Sequence, residues 1–291
     1  MLNLRHVLVW IPTFLGLHAS AQVSSPLRRT EFQLTAVEDS GTYFVYRYRV
    51  TNDRASSGGA AVVTLDMSGP RGAGLATFPS TGRFTDGPAV PGVRGASDHV
   101  PLGPISPQNW EAFLNKNATL DWYGAHSGFE GDIDSIAPGD TLEGFGVRSS
   151  YLPGLRRSWA APTFRSCCTK ARAGTERSEP EDPNPKEYRV AAWTVGPTVD
   201  RGHLTLSTLQ ADLQQICGSL GWIPDRAVCD GLRSLLQDAA SAMERQGAQR
   251  ARQALTSFLQ ELDNQHGPKK PVNSNAYWLL KINGDYLLAH L

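Results

Sequence analysis

The side-chain period of this chain changes once along its length, and that change dictates the class of fold. From residue 30 to about 195 the alternation has period two. Phe44, Tyr46, Tyr48 and Val50 fall on one face of an extended segment, while Val45, Arg47 and Arg49 fall on the other, the pattern of a half-buried strand. The break NDRASSGG at 52–59 is dense in turn residues, and AAVVTLDM at 60–67 resumes the alternation, so the two segments are expected to form a hairpin with a long loop. Further strands are expected at 31–37, 75–78, 120–123, 141–149, 157–161 and 188–195, with Gly and Pro in nearly every gap. Many short strands with such turns point to an antiparallel β-sandwich, Ig-like or jelly-roll-like. One segment departs from this pattern. SPQNWEAFLNKN at 106–117 has Ser106 and Pro107 at helix-start positions and Trp110, Phe113 and Leu114 at helical spacing, which predicts a short helix.

Beyond Gly202 the period becomes helical. Leu209, Leu213, Ile216 and Leu220 form a stripe after Ser207 as cap, and Leu232, Leu235, Leu236, Ala239 and Met243 form a second. Ala251, Leu255, Phe258 and Leu262 form a third, and Ala276, Leu280 and Leu287 a fourth after the cap candidates Asn273 and Ser274. Four amphipathic helices with short connections bury their stripes against one another. The expected fold is therefore α+β in two domains: a β-sandwich over 22–202 and a four-helix module over 203–291.

The helical part resembles the FIMAH-type module found at the C-terminal end of assorted secreted bacterial proteins. The matching positions are Leu213, Gly221-Trp222-Ile223, Leu232, Leu235, Ala239, Gly247, Ala251, Leu255, Phe258, Gly267, Val272, Ala276 and Leu280. They are core and turn positions, so the resemblance implies an accessory module joined to varied exported domains and carries no catalytic residue. The upstream half looks like β domains of uncharacterised secreted bacterial proteins, through Ile136-Ala137-Pro138-Gly139, Gly144-Phe145, Leu152-Pro153-Gly154 and Thr194-Val195-Gly196-Pro197.

The first 21 residues, MLNLRHVLVWIPTFLGLHASA, combine Arg5, an apolar run from Val7 to Leu17 and a small-x-small end at Ala19-Ser20-Ala21. These are the parts of a cleaved signal peptide. The apolar run is shorter than the roughly 20 residues that cross a bilayer core, so a secreted protein with no membrane span after cleavage is expected, placed outside the cell, in the periplasm or at the cell surface. Four cysteines suit that oxidising setting. Cys217 and Cys229 flank the turn between the first two helices, and antiparallel helices there favour a disulfide between them. Cys167 and Cys168 are neighbours inside 165–187, a charged, Pro-rich excursion loop. They are open to a strained vicinal bond, a metal, another chain or free thiols.

Charge narrows the partners. The 28 Lys and Arg balance 28 Asp and Glu, which argues against a nucleic-acid binder driven by bulk charge. The histidines beyond the signal region, His99, His126, His203, His266 and His290, are isolated, and no GxSxG elbow, phosphate loop or dinucleotide fingerprint is present. Glu130, Asp132, Asp134 and Asp140 are the sharpest polar cluster. Loop carboxylates of this kind suit Ca²⁺, the single candidate cofactor. A carboxylate pair also suits glycoside hydrolysis, and Asp also serves plain turn geometry. Trp110, Trp122, Tyr123, Trp159 and Trp193 enrich the β half in aromatics. The first four are candidates for a sugar-stacking platform, against the alternative of core packing. The expectation is a non-catalytic protein that binds a surface glycan or another exported protein. The other class is a secreted hydrolase with loop carboxylates, near His126, as its acid and base.

Overall fold

The computed structural model describes residues 26–67, 83–84, 103–114, 119–124, 133–162, 189–245 and 247–291. Two antiparallel sheets precede four helices, a mixed α+β chain. With strands numbered in chain order, one sheet runs β1 (Thr30–Asp39), β2 (Phe44–Asn52), β8 (Thr141–Ser149), β5 (Gly103–Ile105). The other runs β10 (Val190–Val199), β9 (Leu152–Pro162), β3 (Ala60–Asp66), β7 (Thr119–Gly124), β6 (Trp110–Leu114), β4 (Arg83–Phe84). The expected signal peptide at 1–21, the expected strand at 75–78, the expected excursion loop at 165–187 and the Cys167-Cys168 pair lie outside the described residues.

Alternation places the core. Phe44, Tyr46, Tyr48 and Val50 of β2 are all buried, as their shared face requires. They meet the inward residues of the second sheet, and the aromatic contacts run from sheet to sheet: Phe32 on β1 lies 6.1 Å from Trp122 on β7, which in turn lies 5.7 Å from Phe145 on β8. The turn from Ala137 to Asp140 reads directly from sequence. Pro138 fixes the second position, Gly139 adopts φ +87°, and the Asp140 N–H donates to the Ala137 carbonyl, the geometry of a type II turn.

Three expectations are corrected. The described part of the helix expected at 106–117 is not helical, and Trp110–Leu114 is strand β6, paired with β7 and β4. Residues 107–110 form a tight turn in which the Trp110 N–H donates to the Pro107 carbonyl and Asn109 sits at φ +61°. The apolar residues on both sides of a strand flanked by partners then mimic helical spacing. The segments at 44–52 and 60–66 do not form a hairpin. β2 pairs with β1 and β8 while β3 pairs with β7 and β9, so residues 53–59 cross between sheets. Finally, Leu152-Pro153-Gly154 and Gly196-Pro197, outside the strands expected at 157–161 and 188–195, are themselves strand. Pro153 faces Pro197 across the β9–β10 ladder, with a bulge beyond Pro197, so two residues lacking an N–H occupy one rung. Their carbonyls are used elsewhere: Arg156, buried, donates to Pro197, and Asn283 donates to Pro153.

The helices are α1 (Leu206–Cys217), α2 (Arg226–Arg245), α3 (Ala248–Gln265) and α4 (Ser274–His290). The first is capped by Thr205, whose Oγ1 accepts from the Thr208 N–H, and not by Ser207. Leu209, Leu213, Ile216, Leu232, Leu236, Ala239, Ala251, Leu255, Phe258, Leu262, Ala276, Leu280 and Leu287 are buried as their spacing predicts, whereas Met243 is exposed and Ala242 takes the core position. Cys217 and Cys229 are bonded, with Cα atoms 5.9 Å apart, a closure that contributes about 2–3 kcal/mol. Among the described residues no helix is long and apolar enough to cross a membrane.

α4 differs from the other three because it is buried on two sides. One side carries the stripe that meets α1 and α3. The other lies along β1, β9 and β10, where the edge strand of each sheet comes close, and a single apolar core continues from the sheets into the helices. The β1 edge presents unpaired backbone groups, an exposed template for mispairing. Asn275 covers it as a third strand would: its Oδ1 accepts from the Leu34 N–H at 2.6 Å and its Nδ2 donates to the Phe32 carbonyl at 3.4 Å. Ser274 Oγ donates to the Leu34 carbonyl, and Trp278 Nε1 donates at 2.8 Å to Thr35, the extra residue of a β-bulge between Leu34 and Ala36. Asn275→Ala strands a buried N–H and weakens a carbonyl. The expected loss in urea unfolding is about 2–3 kcal/mol, with a rise in light scattering as the edge is uncovered. A loss below about 0.5 kcal/mol, within the range of ordinary surface substitutions, contradicts this account of the edge.

Candidate ligand-binding cleft

A cleft of about 320 Å³ opens where the start of β1, the start of β10, the α1–α2 turn and the cap of α4 converge. Strand parity supplies one wall. Thr30 and Phe32 point into the core, so Arg29 and Glu31 face outward, and neither makes an ion pair among the described residues. The α1–α2 turn supplies the opposite wall. It is stapled at its base by the Cys217–Cys229 bond. The Trp222 N–H donates to the Ile216 carbonyl, and the Trp222 carbonyl accepts from the Asn273 N–H. Half-buried Trp222 is thus held from the end of one helix and the start of another. Asn273 spends its Oδ1 on capping the Ala276 N–H, which leaves its Nδ2 as a donor in the cleft lining.

Trp193 stands on the rim from β10 with 41 % of its surface open. Its register partner on β9 is Arg157, whose guanidinium carbon lies 5.1 Å from the ring centroid, a cation–π contact that fixes the indole while leaving area exposed. Two tryptophans, Arg29, Glu31, Ser219, Asn273 and Asn275 therefore line one concavity. Aromatic faces take flat C–H surfaces, and planar polar groups take pairs of hydroxyls. Glu31 is the single carboxylate among the described residues of the lining, whereas glycoside hydrolysis uses two.

The aromatic residues expected to form a platform divide between core and surface. Trp110 is 2 % exposed and Trp122 is fully buried, with its Nε1 donating at 2.9 Å to the Ile105 carbonyl; neither offers a face to a ligand, which corrects their assignment as binding residues. Tyr123 and half-buried Trp159 do lie on the outer face of the second sheet, the face that also carries Trp193. Tyr123 is 37 % exposed, stacks edge-on against Phe113 and donates its hydroxyl to Asp121. Neither lines the cleft. Of the proposed calcium ligands, Glu130 and Asp132 lie outside the described residues, as does His126. Asp134 follows β7 closely, its carbonyl so near Gly124 that no β-carbon fits there, and Asp140 is exposed at the end of the Pro138-Gly139 turn. Among the described residues no three His, Cys, Asp or Glu side chains gather to hold a metal. Trp222 is the cleft residue that aromatic counting in the β half missed, because it belongs to the helical half. No protein-family model matches the chain, and no curated protein matches it.

Proposed function

We propose that this chain is a secreted, non-catalytic recognition protein that takes sugar rings of a surface glycan in the cleft between Trp193 and Trp222. The observation that carries the reading is the open indole of Trp193, pinned by Arg157 on the rim of a concavity lined with hydroxyl-binding groups. Its volume is at the small end of ligand sites and suits a ring system better than the broad face of an exported protein partner. In this reading the two sheets are an Ig-like or jelly-roll-like sandwich, and the four helices are a FIMAH-type accessory module whose stapled turn completes the cleft. The signal segment at 1–21 and the Cys217–Cys229 bond both suit an oxidising compartment.

Trp193→Ala tests it. Screening the mature protein on a glycan array and titrating the best ligand by calorimetry is expected to show an affinity loss of about tenfold or more, the equivalent of one lost stacking face, with an unchanged circular dichroism spectrum. Retained affinity in the variant, or capture of a protein with no glycan bound, overturns the reading.

A further inference from the structure

A second cleft, of about 390 Å³, adjoins the first at Asn273 and continues along β1 under the α3–α4 loop. Its polar groups have one sign. Arg49 donates its Nε to Gln33 Oε1 at 2.7 Å, its terminal nitrogens have no partner among the described residues, and the same bond leaves Gln33 with its amide donor. Lys270 lies exposed in the loop with no ion pair among the described residues. Asn273 contributes Nδ2, since its Oδ1 is committed to the helix cap. The His266 ring, stacked at 3.9 Å on Tyr277, has Nδ1 against the Val272 carbonyl; a carbonyl only accepts, so that nitrogen carries the proton. No carboxylate lines the cleft among the described residues. The nearest acid by strand register is Glu143, opposite Arg49 on β8, and it makes no ion pair with Arg49.

Two cations and two amide donors around a concavity with no acid among its described residues make a site for an anionic group. The first cleft, with one Arg and one Glu, has no such bias. We infer that the second cleft is an anion subsite of the same surface, and that the ligand is an acidic glycan. Its ring stacks at Trp193 and Trp222 while a carboxylate or sulfate ester on a neighbouring ring meets Arg49 and Lys270. The inference rests on the glycan reading of the first cleft and names its class.

The test titrates the mature full-length protein with polygalacturonate, dextran sulfate and neutral dextran, in the wild type, in Trp193→Ala and in the Arg49→Gln, Lys270→Gln double variant. Both substituted cations are on the surface, and circular dichroism checks that the fold is kept. Expected is binding of an acidic polymer that weakens with added salt and falls about tenfold for each cation removed, with preference between the two acidic polymers identifying carboxylate or sulfate. If the double variant binds the acidic polymers as the wild type does while Trp193→Ala loses them, the anion subsite is overturned and the aromatic cleft stands. If the double variant loses them while Trp193→Ala keeps them, the anion subsite stands and the aromatic reading falls. Failure of the wild type to bind either acidic polymer, or equal binding of dextran, overturns the inference.

Discussion

Trp122→Ala is expected to lower the unfolding free energy by about 3–5 kcal/mol, the range for deleting a buried aromatic, and to do so without any ligand being involved. The indole lies fully buried between the two sheets, with Phe32 on one side and Phe145 on the other. Truncation removes dispersion contacts to both sheets and leaves a cavity that neither can close alone, since each is held by its own ladder. It also takes away the Nε1 donor of the Ile105 carbonyl on β5, a strand of three residues that pairs with β8 at the end of its sheet. Urea unfolding followed by circular dichroism gives the number. Trp193→Ala, measured beside it, is expected to cost below about 1 kcal/mol, because the residue lies at the surface and surface substitutions lie within roughly ±0.5 kcal/mol. The contrast separates a structural from a recognising tryptophan. Equal losses at the two positions contradict the assignment of both.

The same contrast shows what sequence holds and what it leaves out. In LDWYG, Trp122 shares parity with Leu120 and Tyr123 shares parity with Asp121. Period two therefore already separates a buried Trp122 from an exposed Tyr123, and counting aromatics without parity lost that distinction. Parity reports which face a residue takes, but not which strand lies beside it. The β2–β3 crossover and the rung where Pro153 meets Pro197 depend on pairings that no local pattern encodes. Helical spacing failed at Trp110, Phe113 and Leu114 because a five-residue strand with an apolar residue on each face gives the same intervals. The four helices, longer and separated by Gly and Pro, left no such ambiguity, and the Cys217–Cys229 bond followed from the turn between the first two.

The cleft was less legible than the fold for a related reason. Arg29, Trp193 and Trp222 come from three elements separated by more than a hundred residues or by a change of structural class. What joins them is α4, and the sequence of α4 carries the signal in an unexpected form. A helix that is apolar nearly all round is buried on more than one side, and Asn275 and Asn283 within it are polar residues at buried positions. Buried amides need partners, and here Asn275 finds an N–H and a carbonyl of β1 while Asn283 donates its Nδ2 to a carbonyl of β9. An Asn inside an apolar helix therefore marks a second surface for the helix to meet.

Asn283 Oδ1 has no such partner among the described residues, and neither has Asp212 Oδ2, where the consequence is a pH dependence. Asp212 on α1 has its Oδ2 buried with no hydrogen-bond partner among the described residues, and burial pushes its carboxyl from 3.8 up to about 7. Between these two values the folded chain holds a proton that the unfolded chain has released, so stability falls as pH rises through this window. The penalty is absent below pH 3.8 and complete above about pH 7. At 1.36 kcal/mol for each unit, the full penalty is at most about 4 kcal/mol. Asp212→Asn removes the charge at nearly constant shape. It is expected to leave stability at pH 4 almost unchanged, to raise it at pH 8 by up to that amount, and to flatten the slope between. Asp285 on α4, also pushed up by burial although Lys281 pulls it down, keeps a smaller slope of the same sign in the variant. Urea unfolding at intervals from pH 4 to pH 8 measures both. An identical slope in wild type and variant means that Asp212 is hydrated in the folded chain, and that the carboxylate is tolerated on α1 without cost.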